Sequence, residues 1–369
     1  AAIMACCRGQ KVFVPRHVHR SIYHSLILAQ AEPIYLPIAL DDELSLPLGV
    51  AAETLADYIR RYPEVKTLLM VNPTYQGLTW ENEKLIKLAK ASGLTVIVDE
   101  AHGAHLHFSP QLPMSMLDLG ADLVVQSWHK MLPVMTQGSV LHAGYDYQGV
   151  ELAPILSLLQ STSPSYLLMA SLEAGSIFMG QEGAEMIAQS LHELTVFFQK
   201  LACLNTIKRF YRSEYGQDPF KLYLVSSKYS GAELAELLRE RFRIYVEMND
   251  SVGVLLILPL KVNQDELESL YAALVAIDEA SSLLADVALS PTFYSRSIPQ
   301  QAVSLAEAFY RTKQFLPIQS AVGKVCGQFL LKYPPGIPLA VPGERIDDNI
   351  LALWLANEGK SSDMIQVLV

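Results

Sequence analysis

Gln126-Ser127-Trp128-His129-Lys130 follows the run from Ala121 to Val125 and precedes Met131-Leu132-Pro133. The apolar run reads as a strand covered on both faces, and the carboxyl end of such a strand opens into the crevice where open α/β sheets bind ligands. A lysine held there is partly desolvated. Burial and neighbouring cations lower a lysine's pKa and leave a usable fraction as free amine, the form that condenses with an aldehyde. Read in isolation, Lys130 could equally be a solvated loop lysine, so a second signal is needed. It lies upstream, where Leu94-Thr95-Val96-Ile97-Val98 runs into Asp99-Glu100-Ala101-His102.

The aldehyde cofactor that needs such a lysine is pyridoxal phosphate. It works as an electron sink only while its ring nitrogen stays protonated, which a carboxylate fixed at a strand end enforces; Asp99 is the candidate. With these two segments in view, Val98-Asp99-Glu100-Ala101-His102-Gly103-Ala104-His105 and Gln126 to Lys130, the chain resembles the fold type I pyridoxal phosphate enzymes called ornithine/lysine/arginine decarboxylases. Further matches follow in order: Arg16-His17-Val18-His19-Arg20-Ser21, Asn72-Pro73-Thr74-Tyr75-Gln76-Gly77, Ser161-Thr162-Ser163-Pro164-Ser165-Tyr166, Tyr333-Pro334-Pro335-Gly336-Ile337-Pro338, and Pro342-Gly343-Glu344.

The resemblance implies an α/β fold whose major domain carries a mostly parallel, seven-stranded-type sheet of the aspartate aminotransferase kind. A small α+β domain and a C-terminal domain would follow. It implies Lys130 as the cofactor's attachment point, Asp99 as partner of the ring nitrogen and His19 as the imidazole stacked on the ring. Ala101, with His102 beside it, would let the ring lie close on the face opposite His19. Ser127 and His129 would face the phosphate. Ser161 and Thr162 would reach the phosphate of a neighbouring subunit, so that the site needs a homodimer, or a dimer of dimers. Tyr75 would lie against the substrate, and Glu344 is a candidate for its distal cation. The expected reaction is decarboxylation of arginine, lysine or ornithine, feeding polyamine synthesis or acid resistance; Lys130 or a nearby histidine would return a proton to Cα. Trp128 departs from the small residue common at that place in the family.

With 369 residues the chain exceeds one ordinary core, and 51% hydrophobic content suffices for several. The expected division is 1–185, 186–285 and 286–369. No apolar run has membrane-spanning length and no charged-then-apolar leader is present, so a cytoplasmic protein without a membrane partner is expected. The net charge of -10 argues against nucleic acid and suits a cationic substrate. Cys6, Cys7, Cys203 and Cys326 show neither disulfide nor zinc spacing and read as reduced thiols. Residues 1–7 read as the latter part of a helix stopped by Arg8-Gly9, and the end at 364–369 shows no evident terminal structure. The family's Gly/Ser/Thr-rich phosphate loop is therefore expected upstream of this sequence.

Strands are expected at 11–14, 32–38, 67–71, 94–98, 121–125 and 138–142, with helices following 16–21 and at 51–62, 80–92, 166–179 and 182–204. A second unit carries strands at 221–225, 243–247 and 254–258, with capping boxes at Ser230/Glu233 and Asn263/Glu266. It shows no titratable cluster, so its role reads as structural. Residues 285–299 read as a loop. Rival functions remain. His102, His105 and His107 invite a zinc hydrolase, although a regular helix would not bring 107 onto the face of the other two. An aminotransferase would use an arginine such as Arg345 for the α-carboxylate. A non-catalytic protein keeping the fold is the third. Asp99 to His102 also spells a helicase box, but no phosphate-binding Gly-x-x-x-x-Gly-Lys-Ser/Thr loop accompanies it.

Overall fold

Short runs rich in Val, Ile and Leu alternate with amphipathic stretches through the first 143 residues, and in the computed structural model they form a six-stranded sheet with helices on both faces. The structure describes residues 1–145, 147–281, 284–286, 294–295, 297–331, 333–357 and 359–369. The strands are β1 (Lys11–Pro15), β2 (Glu32–Leu36), β3 (Thr67–Val71), β4 (Thr95–Asp99), β5 (Leu123–Gln126) and β6 (Val140–Ala143), in the spatial order β2-β1-β3-β4-β5-β6. The first five are parallel, and β6 closes the edge antiparallel to β5. The sheet thus has six strands among the described residues where seven were expected.

Alternation along each strand assigns the two faces. Val12, Val14, Leu69, Ile97 and Leu123 pack with Tyr23 and Leu26 of the 20–29 helix. Phe13, Leu68, Met70, Val96, Val98 and Val124 pack with Leu55, Leu85 and Ile86 of the helices on the other side. Each such fully buried side chain is worth about 1.5–3 kcal/mol, which fixes register because a one-residue slip would exchange the faces. The strand order reverses beside β1, so the crevice at the carboxyl ends of β1, β3, β4 and β5 is where this topology places a ligand.

A second, four-stranded antiparallel sheet comprises β7 (Ile207–Arg209), β8 (Lys221–Ser226), β9 (Met248–Asn249) and β10 (Gly253–Ile257), in the order β7-β8-β10-β9. The strand expected at 243–247 does not form. Arg243 takes a left-handed conformation, φ 56°, and its N–H caps the preceding helix at Arg239 and Leu238, so the chain turns before it pairs at 248. Ser230 and Glu233 make both halves of their capping box. Asn263 instead accepts from the Asp265 N–H, without completing a reciprocal pair with Glu266. Of the expected 285–299 loop, residues 287–293 and 296 lie outside the described residues.

The two sheets are stitched together. Gly216 and Gln217 pair antiparallel with Thr79 and Leu78, and the Asp218 N–H donates to the Gly77 carbonyl at 2.8 Å. That seam brings the head of β8 against the loop that follows β3.

Candidate active site

Four strand ends and the second sheet enclose a cavity of about 580 Å³. His17 and His19 reach it from beyond β1, Pro73 and Tyr75 from beyond β3, Asp99, Ala101 and His102 from β4, and Ser127 and Lys130 from β5; Glu247 enters from the second sheet. The strands end together because they are parallel and in register, so residues far apart in sequence arrive at one rim.

Lys130 lies in the short helix Trp128–Met131, its Nζ 3.2 Å from His102 Nε2. Burial pushes its pKa down, while the Asp99 and Glu247 carboxylates pull it back up. Asp99 accepts from the Ala101 N–H at 3.1 Å. Burial raises its pKa, opposed by that N–H and by the charge of Lys130. Amine and carboxylate thus line the same cavity and each feels the other's charge.

His19 both caps a helix and faces the cavity. It caps the 20–29 helix, Nδ1 accepting from the Ser21 N–H at 3.2 Å, and its ring also lines the cavity. Burial, then Lys130 and Arg20, bring its pKa down to about 4, so it stands neutral with its proton on Nε2. A Cβ on Gly336 would come within 3.0 Å of this ring, and the Arg20 N–H donates to the Gly336 carbonyl at 3.0 Å; the proline-rich turn packs directly on the imidazole.

Other expected site residues lie elsewhere. His129 donates from Nδ1 to the Gly138 carbonyl at 2.7 Å and does not line the cavity. Ser161 and Thr162 are exposed outside it, Ser161 Oγ accepting from the Ser163 N–H. Glu344 cannot meet a substrate cation: it is fully buried, and its Oε2 accepts from Arg16 Nη2 and the Val341 N–H, both at 2.8 Å. A buried carboxylate needs such a partner, and the pairing consumes it. Arg345 is exposed and donates to the Gly323 carbonyl, away from the cavity. The three histidines diverge: His105 is buried with Nε2 3.0 Å from Asp218, and His107 is exposed beside Asp118. No group of three or more His, Cys, Asp or Glu is placed to hold a metal ion among the described residues.

Trp128 also finds its explanation. Its Nε1 donates to Gln126 Oε1 at 3.1 Å, and Gln126 Nε2 donates to Glu100 at 2.7 Å. Glu100, beside Asp99, is fully buried and also accepts from Asn72, Ser115 and the Met116 N–H. It bolts the ends of β3, β4 and β5 into one rim, holding Asp99 and Lys130 in fixed relation.

The second sheet is not merely structural. Glu247 accepts from the Tyr75 hydroxyl at 2.5 Å inside the cavity. Lys221, only 4% exposed at the head of β8, has its Nζ 2.8 Å from His102 Nδ1 and 5.5 Å from the centre of the Tyr75 ring. The available signal was a lysine opening the otherwise apolar strand Lys221-Leu222-Tyr223-Leu224-Val225, a position that buries charge and so demands a partner.

The sheet topology and the cavity at its strand ends, with an amine and a carboxylate on one wall, define an α/β protein with an enclosed ligand site. The Orn/Lys/Arg decarboxylase major-domain profile matches residues 1–215 and the C-terminal-domain profile residues 288–359, so the chain belongs to the Orn/Lys/Arg decarboxylase family. It is 33% identical to the arginine decarboxylase of Bacillus subtilis over 96% of this chain and 74% of that protein. To the arginine decarboxylase of Bacillus anthracis it is 32% identical, over 94% of this chain and 72% of the relative. The solved lysine decarboxylase LdcF of Francisella novicida superimposes with a TM-score of 0.82 at 18% identity, covering 100% of this chain and 67% of that one. The fold is therefore that of the fold type I decarboxylases, and the chain is a decarboxylase of the basic amino-acid class. No helix among the described residues is long and apolar enough to cross a membrane.

Proposed function

We propose that this enzyme decarboxylates arginine to agmatine with pyridoxal phosphate held at Lys130. The observation that carries the reading is the placement of one lysine amine and one carboxylate, Lys130 and Asp99, on the wall of a single cavity of about 580 Å³. The donor set fits the cofactor: an amine for its aldehyde, a carboxylate for its ring N–H, a neutral imidazole for one ring face and a small side chain, Ala101, for the other. When bound, pyridoxal phosphate supplies the aldehyde that captures the substrate amine and the ring that accepts the electron pair left by departing carbon dioxide.

Burial disfavours the ammonium of Lys130 and so enlarges the fraction of its amine that is uncharged. Asp99, lifted by burial, gains by facing a protonated ring nitrogen, and in turn keeps that proton in place. His19 stays neutral near pH 7 and gives a flat contact that orients the ring. Glu247 and Tyr75 take the side-chain cation of the substrate. A carboxylate beside an aromatic face suits a planar guanidinium, which can bond through two N–H groups and stack at once. The names of the Bacillus relatives point the same way. Lys130, freed as substrate takes its place, returns a proton to Cα.

The helix Tyr166–Phe178 supports a homodimer. Tyr166 is 80% exposed, Leu167 74% and Ile177 53%, and of the whole helix only Gly175 is buried. A second copy would cover this apolar face and bring Ser161 and Thr162 to its neighbour's cavity.

The test is to titrate purified protein with pyridoxal phosphate and then supply arginine, lysine and ornithine separately. An absorbance band near the visible edge, carbon dioxide and agmatine are expected, with arginine preferred at least about tenfold in kcat/KM over lysine. Lys130→Ala should lose both band and turnover. Retention of the band in that variant, or oxo-acid products in place of carbon dioxide, would refute the assignment.

A further inference from the structure

We propose that Lys221 and His102 form a proton relay from the second sheet to Lys130, with Lys221 setting the tautomer through which His102 acts. This rests on Lys130 being the reactive amine. His102 bridges the two lysines, Nδ1 to Lys221 Nζ at 2.8 Å and Nε2 to Lys130 Nζ at 3.2 Å. A neutral imidazole carries one N–H and an ammonium is a donor only, so when Lys221 holds the charge it donates to an unprotonated Nδ1 and the ring proton sits on Nε2. That N–H can bond Lys130 only if Lys130 presents a lone pair. With Lys221 charged, the chain Lys221, His102, Lys130 therefore favours the free amine of its last member.

The same chain can deliver a proton without changing the total charge. As Lys130 Nζ takes the proton from His102 Nε2, the Lys221 proton passes to His102 Nδ1; Lys130 ends as ammonium and Lys221 as amine. Burial supports each step. Lys221 is brought down to about 8, so giving up its proton costs little near neutral pH. His102 is held well below its ordinary value by burial and by both lysines, so it passes a proton without storing one. The charged and titratable groups around the relay are Asp218 and Glu247 at Lys221, Asp99 and Glu247 at Lys130, and His19, His105 and the Tyr75 ring, 4.8 Å away, at His102. Gly77 leaves the space this arrangement needs: a Cβ there would stand 2.5 Å from Lys221 Cβ, in a backbone conformation, φ 84°, that side chains rarely adopt.

The test uses the full chain without cofactor, as wild type, Lys221→Met, Lys221→Gln and Lys221→Arg. Histidine ¹⁵N spectra report the His102 tautomer, assigned by its loss in His102→Asn. Acetylation of Lys130 followed by mass spectrometry against pH reports its free amine. In wild type, His102 should be protonated at Nε2 and Lys130 should react well below the pH of surface lysines. Lys221→Met should scramble the tautomer and move the Lys130 profile up, with roughly tenfold less free amine at pH 8. Lys221→Gln keeps a neutral donor and should hold the tautomer if the methionine variant does not fold. Lys221→Arg should preserve both spectra and profile, since arginine still donates, yet lower kcat about tenfold or more with little change in KM, since arginine does not surrender a proton. An unchanged tautomer and Lys130 profile in folded Lys221→Met, or full kcat in Lys221→Arg, would overturn the relay. Failure of Lys130 to form the cofactor absorbance band while His102 still responds to Lys221 would instead sink the cofactor assignment alone.

Discussion

Glu247 and His17 carry the two most direct tests at the scale of single residues. Glu247 is the carboxylate lining the cavity beside Tyr75, and a hydrogen bond to a charged group is worth about 1.5–3 kcal/mol. Glu247→Gln is therefore expected to raise KM for arginine about 10- to 100-fold with a smaller change in kcat, read from steady-state kinetics. His17 is buried at 3% exposure with no partner on either ring nitrogen among the described residues, and burial brings its pKa from 6.5 down to about 4. The unfolded chain binds that proton first as pH falls. Stability from His17 is thus complete above about pH 6.5 and is lost as acidification proceeds toward 4, at a cost of about 3 kcal/mol. His17→Leu should flatten the fall in Tm between pH 7 and 4.5; an unchanged slope would mean the imidazole is not titrating there. Lys130 and Asp99 were legible because strand ends are local features of sequence. Lys221 and Glu247 were not, since what defines them is contact with His102 and Tyr75 across the seam between sheets, and nothing periodic marks such residues.

At the scale of elements, the end of β1 is tied to the C-terminal segment through Arg16. Its Nη2 donates to Glu344 Oε2 and to the Leu339 carbonyl, and its Nη1 to the Tyr23 hydroxyl at 2.6 Å. Both charges are almost wholly desolvated, so deleting one strands the other. Arg16→Met or Glu344→Leu alone is expected to cost about 3–5 kcal/mol in denaturant unfolding, and the double variant to recover much of that loss. Additive losses in the double variant would show that the pair is not coupled. Strand and helix periodicity located the strands of the large sheet and the helices between them within a few residues, because alternation on the sheet and caps such as Ser230 are written locally. The direction of β6 was not, since antiparallel pairing is decided by where the chain returns after 126. The displaced strand at 243–247 fails for a similar reason: its residues are consistent with extension, but the left-handed Arg243 cap redirects them.

At the scale of the whole molecule, the fold explains how a hydrophobic helix can be left open and why that should matter to the reaction. An apolar helix burying only Gly175 is costly to leave in water, whereas a two-fold partner would cover it with the same surface. Ser161 and Thr162 precede that helix and stand outside their own cavity, so a dimer through 166–178 is the arrangement in which they could serve another subunit's site. Leu167→Asp should then yield monomers by sedimentation, with catalysis lost although Lys130 and Asp99 are untouched. Subunit mixing tests the sharing directly. A Lys130→Ala chain and a Ser161→Ala/Thr162→Ala chain are each expected to be strongly impaired alone. In a mixed dimer one site draws its lysine from the second chain and its hydroxyl loop from the first, and is intact; the other site carries both defects. Equal mixing makes half the dimers hybrid, so about a quarter of wild-type activity should return. If the hydroxyls act within their own chain, every site in the hybrid keeps one defect and mixing restores nothing.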